Sequence, residues 1–261
     1  MGRYDRHLVL REIGPQGQER LRASKVLLIG AGGLGSAAGL YLAAAGIGTI
    51  GIADYDAVDL SNLQRQIIHR MDSVGKAKTH SAARAIGELN PEVEVRIHEG
   101  RMTVENIQSV IEPYDFILDC TDRFESKFLV NDACVLSQKP YCHAGVVRFE
   151  GQVMTYVPGQ GPCLRCLLGG VPAPTEAPTC AQVGVLGAMV GVIGSIQALE
   201  AVKVLLGIGE PLTGKVLRFD GLNMKTRVID IPGTDPDCAV CGCHPAIRSL
   251  ADNAGEYEIT P

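Results

Sequence analysis

Five groups of residues in this chain have the types and spacing for chemistry. The first is Gly30-Ala31-Gly32-Gly33-Leu34-Gly35, which follows an apolar run and precedes an Ala-rich one. Glycines in that setting permit a tight turn and let backbone N–H groups reach a phosphate at a helix N-terminus. Asp54 stands 24 residues after Gly30, where an acidic side chain can accept bonds from ribose hydroxyls. The second group is "DYDAVDLSNLQRQ", which sets Asp54, Asp56 and Asp59 beside Asn62, Gln64, Arg65 and Gln66. The third is Lys78, in "VGKAKTHSA". Arg65 offers a planar fork to phosphate oxygens, Asn62 a hydrogen bond and Lys78 a compact positive charge. A triphosphate uses such groups, whereas a nicotinamide has little need of them. The fourth is Asp122 in "DCTDR", directly after an apolar strand. A carboxylate there suits Mg²⁺, a hard cation that prefers oxygen ligands. The fifth is two Cys-x-x-Cys pairs, Cys163/Cys166 and Cys238/Cys241. Together they offer four thiolates for tetrahedral Zn²⁺, or two separate redox pairs.

The elements that must position these residues alternate. Helix is expected over 15–23, strand over 25–30, helix from the Gly-rich loop to Ala45 and strand over 48–54. A helix from Lys76 to Leu89, a strand over 93–98, a helix over 103–112 and the strand "DFILDC" follow. Then come a helix over 124–137 and the strand "YCHAGVV". This β-α-β order predicts an α/β, Rossmann-like, mostly parallel sheet flanked by helices. After residue 148 the pattern changes to an antiparallel strand, a Pro-rich stretch, an apolar helix over 184–206 and a hairpin over 214–231. With no linker or repeat, we read residues 1–242 as one domain and 243–261 as a short polar tail. The helix at 184–206 carries Gly184, Gly187, Gly191 and Gly194, a stripe for close packing against the sheet, another helix or a second subunit.

Composition narrows the function. A net charge of −5 argues against a general nucleic-acid binder. The N-terminus is charged from Arg3 onward, unlike a signal peptide, and the apolar run Val183 to Ile196 is too short to span a bilayer. A cytoplasmic protein with no membrane partner is the expectation. Nine cysteines then read as metal-binding or core thiols rather than a disulfide framework, with Cys120, Cys134 and Cys142 in the core. Cys180 is separate: it stands just before the apolar helix, where a helix N-terminus favours the thiolate.

Taken together, "RYDRH", "GAGGLG", "DYDAVDLSNLQRQ", "VGKAK", "DCTD", "EGQV", "CLRC", "PTC", "GVIGSIQALEAVK" and "CAVCG" make the chain resemble the MoeB/ThiF/HesA branch of the E1-like activating enzymes, from Arg3 to Gly242. The resemblance implies ATP-dependent adenylation of the C-terminal Gly-Gly carboxylate of a small ubiquitin-like sulfur-carrier protein. Under it, Gly30, Gly32, Gly33, Gly35, Asp54, Asp56 and Asn62 hold the nucleotide, Arg65 and Lys78 neutralise its phosphates and Asp122 holds Mg²⁺. Arg6 matches an arginine that reaches into the other subunit's site, which implies a homodimer. Cys163, Cys166, Cys238 and Cys241 form one structural Zn²⁺ site. Cys180 lies in a loop that crosses the bound carrier tail, and a separate sulfur donor protein supplies sulfur. Arg123 departs from the family's usual Asn. Three other readings stay open: adenylation of a different carboxylate (a peptide or modified tRNA base), an NAD-dependent oxidoreductase, and a zinc-stabilised scaffold without catalysis.

Overall fold

The structure is a computed structural model that describes residues 2–172 and 183–258. Two short helices, α1 (Asp5–Leu8) and α2 (Gly14–Ala23), lead into β1 (Lys25–Ile29). Then α3 (Gly33–Ala45), β2 (Thr49–Asp54), α4 (Lys78–Leu89), β3 (Glu94–Glu99), α5 (Ile107–Ile111), β4 (Phe116–Asp119), α6 (Phe124–Leu136) and β5 (Tyr141–Val147) alternate. The remainder is β6 (Glu150–Tyr156), α7 (Leu164–Leu168), α8 (Gly187–Leu206), β7 (Lys215–Asp220), β8 (Lys225–Asp230) and a 3₁₀ stretch, Leu250–Tyr257.

All eight strands join one sheet in the order β3-β2-β1-β4-β5-β6-β7-β8. Pairing is parallel from β3 to β5 and antiparallel from β5 to β8. The central parallel strands are buried on both faces, so β1 and β4 carry unbroken apolar runs, Val26–Ile29 and Phe116–Leu118. At the far edge β8 is exposed along its whole length and carries Lys225, Arg227 and Asp230, charges that discourage a further strand from pairing there. The chain reverses its direction of travel across the sheet between β1 and β4. Ligands of open α/β sheets bind at such a switch, outside the carboxyl ends of the strands.

The helix α8 lies against α3, and glycine makes the approach possible. A Cβ at Gly194 would stand 2.5 Å from Leu34 O, and one at Gly187 would stand 2.3 Å from Gln64 O. Gly191 meets nothing within 4 Å, and Gly184 precedes the helix with φ +81°. The expected stripe therefore divides into two packing glycines, one open position and one turn. By length and composition α8 can cross a membrane, which the shorter run read from sequence could not; half of its most apolar window is buried within the fold. Its buried Glu200 accepts from Thr155 Oγ1 (2.5 Å) and Leu212 N (2.7 Å), the setting of a core helix.

Three boundaries differ from expectation. The helix α5 is five residues, because Asn106 Oδ1 accepts from Thr103 N (2.9 Å) while Asn106 Nδ2 donates to Arg101 O (2.9 Å). Such side-chain bonds offer the backbone an alternative to helix. The helix α4 starts at Lys78 and α8 at Gly187. The segment read as a polar tail is anchored as far as Tyr257: Ile247, Leu250 and Tyr257 are buried. Glu256 reaches Arg165 Nη2 (2.7 Å) and Val171 N (2.8 Å), and Tyr257 donates to Asp132 Oδ2 (2.5 Å).

Candidate functional site

A cavity of about 470 Å³ opens at the switch point. Gly30, Gly32, Gly33, Asp54, Asp56, Arg65, Lys78 and Asp122 all line it. These residues come from the ends of β1, β2 and β4, the loop after β2 and the start of α4, so they meet only through the sheet.

Gly30 turns the chain out of β1 with φ +104°, and a Cβ there would press on Cys120 O at 2.7 Å. Gly33 opens α3, whose first N–H groups have no intrahelical partners and carry the positive end of the helix dipole. Gly35 lies outside the cavity lining and serves packing, since a Cβ there would stand 2.1 Å from Gly30 O. The loop is braced from behind by His69, which stands 2.9 Å from Ala31 O through Nε2 and 2.9 Å from Ser81 Oγ through Nδ1. Burial keeps His69 below the usual histidine pKa, so the neutral ring is the stable form.

Asp54 is held at the rim by two backbone donors, Ala31 N at 2.7 Å and Asp56 N at 2.9 Å. Lys78 is buried and pairs with Asp56 at 2.8 Å. An ammonium has three donors, so two remain for an anionic ligand after that pairing. The segment Leu60–Asn62 forms a 3₁₀ turn closed by a capping box. Asp59 accepts from Ser61 N (2.8 Å), and the Ser61 side chain, with that backbone bond, lowers the Asp59 pKa; Asn62 Oδ1 accepts from Asp59 N (3.1 Å). The turn uses the oxygen of the Asn62 amide, and Asn62 lies outside the cavity lining; among the described residues no hydrogen bond occupies the Nδ2 donor that a phosphate contact would use. Arg65 follows this turn, donates to Ser61 O (3.2 Å) and faces the cavity. Asp122 is exposed and lines the cavity, with Arg123 beside it as the N-cap of α6.

Arg6 is exposed on α1, away from this cavity. Cys180 lies outside the described residues. Sequence reasoning gave no role to several cavity residues. Arg101 stacks on Tyr55, 4.5 Å from the ring centroid. Gln66 is buried with Oε1 unpartnered among the described residues. Beneath the wall, buried Asp119 binds Lys127 Nζ (3.2 Å) and His143 Nδ1 (2.9 Å). Burial works to raise the Asp119 pKa, but Lys127 and His143 together hold it well below the usual carboxylate range. His143 comes from a strand read only as "YCHAGVV", where no local pattern marks it as a site residue.

The cysteine pairs meet on the other side of α6. The Sγ atoms of Cys163, Cys166, Cys238 and Cys241 all lie within 4.8 Å of one another. Cys163 caps α7, Cys166 follows one turn later and the second pair sits in the loop after β8. This donor set fits a tetrahedral thiolate-bound ion. The eight described cysteines are all free thiols, and Cys120, Cys134 and Cys142 are buried, where desolvation pushes their pKa up.

A Gly-rich loop at a switch point, an acidic residue ending the second strand and converging cations define an α/β nucleotide-binding domain. More specifically, the chain belongs to the ThiF family, whose model matches residues 4–240. It is 44% identical over 252 residues to the adenylyltransferase and sulfurtransferase MOCS3 of Culex quinquefasciatus, covering 97% of this chain and 58% of that one. MOCS3 of Aedes aegypti matches with the same identity and coverage. The chain thus spans a little under six tenths of those relatives' length. Among solved structures, E. coli MccB with ATP superposes with a TM-score of 0.78 at 26% identity, over 92% of this chain and 74% of that one. PaaA superposes with a TM-score of 0.74 at 25% identity, over 88% and 72%.

Proposed function

We propose that this domain adenylates the C-terminal carboxylate of a small ubiquitin-like sulfur-carrier protein ending in Gly-Gly. A carboxylate oxygen attacks the α-phosphorus of ATP. The bond from that phosphorus to its bridging oxygen breaks, and pyrophosphate leaves with the electron pair. Such a substitution needs alignment and charge stabilisation more than a protein nucleophile. The observation that carries the reading is the convergence of Gly30, Gly32, Gly33, Asp54, Arg65, Lys78 and Asp122 on one cavity.

In this reading the first turn of α3 receives phosphate oxygens, Asp54 the ribose, and Arg65 and Lys78 the charge that grows on the leaving pyrophosphate. Asp56 orients the Lys78 ammonium. Asp122 would hold Mg²⁺, which neutralises phosphate charge when bound, and the four clustered cysteines would hold Zn²⁺. Arg6, exposed on α1, would complete the site of a second copy in a homodimer. Cys180 would act on the activated carrier, with sulfur from a donor protein. Free thiols accord with a cytoplasmic setting. The 44% identity to proteins named adenylyltransferase and sulfurtransferase supports this choice of carboxylate. Likeness to MccB, solved together with MccA, supports a second reading in which the carboxylate belongs to a peptide.

The test is exchange of labelled pyrophosphate into ATP, with Mg²⁺ and candidate carriers. Carrier-dependent exchange that falls at least 100-fold in Asp122→Ala supports the reading. Binding of NAD in place of ATP overturns it.

A further inference from the structure

Four side-chain polar atoms are buried without a hydrogen-bond partner among the described residues: Gln66 Oε1, Thr79 Oγ1, His143 Nε2 and Thr213 Oγ1. An orphaned buried polar atom is costly to a fold, so one at a ligand cavity points to a ligand that pairs it. Gln66 and His143 line the cavity. Gln66 stands beside Gly32 and belongs to the nucleotide end. His143 stands elsewhere. In the order β1-β4-β5 it is two strands from the phosphate loop, roughly 10 Å across the sheet at about 4.8 Å per strand.

The surroundings of His143 set what it can do. The ring is 2% exposed. Its Nδ1 faces Asp119 Oδ2 at 2.9 Å, and that carboxylate is otherwise occupied. Oδ1 accepts from Thr121 N (3.1 Å) and Thr121 Oγ1 (2.6 Å), and Oδ2 also accepts from Lys127 Nζ (3.2 Å). Lys127 is fixed in turn by Ala144 O at 2.7 Å. A carboxylate only accepts, so His143 Nδ1 carries the proton. Burial, and then the Lys127 charge, keep the ring below the usual histidine pKa and hence neutral. Nε2 is left as a lone-pair acceptor. A phosphate, with no proton to offer at neutral pH, does not satisfy it; a peptide N–H does. Beside His143 the cavity runs along the β5–β6 hairpin past Gly145, where even an added Cβ would come no closer than 3.7 Å to another atom. That open strip of lining leaves room for an extended peptide end beside His143.

We propose that His143 is a substrate-binding residue, its Nε2 accepting a hydrogen bond from the backbone N–H of the last glycine of the carrier's Gly-Gly end. Asp119 and Lys127 are positioning residues that hold the ring in its accepting tautomer. The inference rests on the adenylation reading and deepens it.

Two variants and one altered carrier test it by pyrophosphate exchange. His143→Asn keeps an N–H for Asp119 and removes Nε2; His143→Gln can return an amide oxygen near that place. The expected result is a carrier KM about tenfold higher in His143→Asn, an ATP KM within twofold of wild type and partial recovery in His143→Gln. A carrier ending in sarcosine lacks the terminal N–H, so with the wild-type enzyme its KM should also rise about tenfold, and folding of a variant is not at issue. In His143→Asn the same carrier should cost little further, because the partner is already gone. An unchanged carrier KM in His143→Asn, or sarcosine effects equal in both enzymes, overturns the inference while adenylation stands. If the wild type exchanges with no Gly-Gly carrier, the adenylation reading itself fails and this inference with it.

Discussion

The cysteine cluster allows a quantitative prediction. A tetrahedron of sulfurs around zinc at about 2.3 Å has edges of about 3.8 Å. The sulfur–sulfur distances include 3.4 Å for Cys163–Cys241, 3.7 Å for Cys163–Cys238 and 4.0 Å for Cys163–Cys166. These three distances lie within a few tenths of an ångström of that edge, and all four sulfurs lie within 4.8 Å of one another. Cys163 and Cys238 are 75 residues apart, so an ion that clips them closes a long loop in the unfolded chain. Loop-closure entropy for that length is about 4.5 kcal/mol. Set against a total stability of about 5–15 kcal/mol, that is a large share. For a chain of this size it translates to roughly 10–18 °C in Tm. We expect one zinc per chain by plasma mass spectrometry. A strong chelator should lower Tm by that amount, and added zinc should restore it. Cys238→Ser should lose the metal and show a similar drop. Native chain without zinc refutes the reasoning, as does full zinc in Cys238→Ser/Cys241→Ser or a Tm indifferent to chelation.

The two interior glycines of α8 should respond in opposite ways. Gly194→Ala drives a Cβ into Leu34 O and should destabilise by about 2–4 kcal/mol in urea titration, whereas Gly191→Ala meets open space and should stabilise by about 0.5–1 kcal/mol. If Gly191 faces a second copy, Gly191→Ala should instead weaken self-association in sedimentation. Removing the Glu256 carboxylate (Glu256→Ala) leaves Val171 N and one side of Arg165 without their acceptor, and should cost about 1–3 kcal/mol by the same titration. Stability should fall as pH drops from 7.5 to 5.5. His69 and His143 have folded pKa values below their unfolded ones, both through burial, so the unfolded chain binds protons the folded chain refuses. Their contribution is intact above about pH 6.5 and is lost as pH falls toward the folded values, and a Tm flat across that window would contradict the assignment. Gly30→Ala, at φ +104° and 2.7 Å from Cys120 O, should abolish ATP binding in calorimetry.

The local pattern was enough for the parallel half of this protein. Apolar runs identified β1, β2 and β4, the first two flanked by glycine, and the spacing from Gly30 to Asp54 predicted a strand, helix and strand that end side by side. The helix ends were less legible. At α5 the bond between Asn106 and Thr103 outcompeted the helical register, a choice made by side-chain geometry that periodicity does not carry. Single positions were less legible for a similar reason. Asn62 and Arg65 look equivalent as polar neighbours of a phosphate, yet only Arg65 lines the cavity, while the Asn62 oxygen closes the turn at Asp59.

By itself, the amino-acid sequence determined which backbone segments form elements and where a phosphate loop must lie, because both follow from contacts within a few residues. It also supplied the two cysteine pairs, without saying whether they meet. Tertiary structure decided that, since only the packed sheet and α6 bring residues 75 apart to one point. It likewise decided that Gly35 packs while Gly30 turns, and that Glu256 ties the last described segment to Arg165. Most of all, it set His143 against Asp119. Parallel pairing of β4 with β5 puts the two in register, and that partnership is a property of strand alignment rather than of either strand.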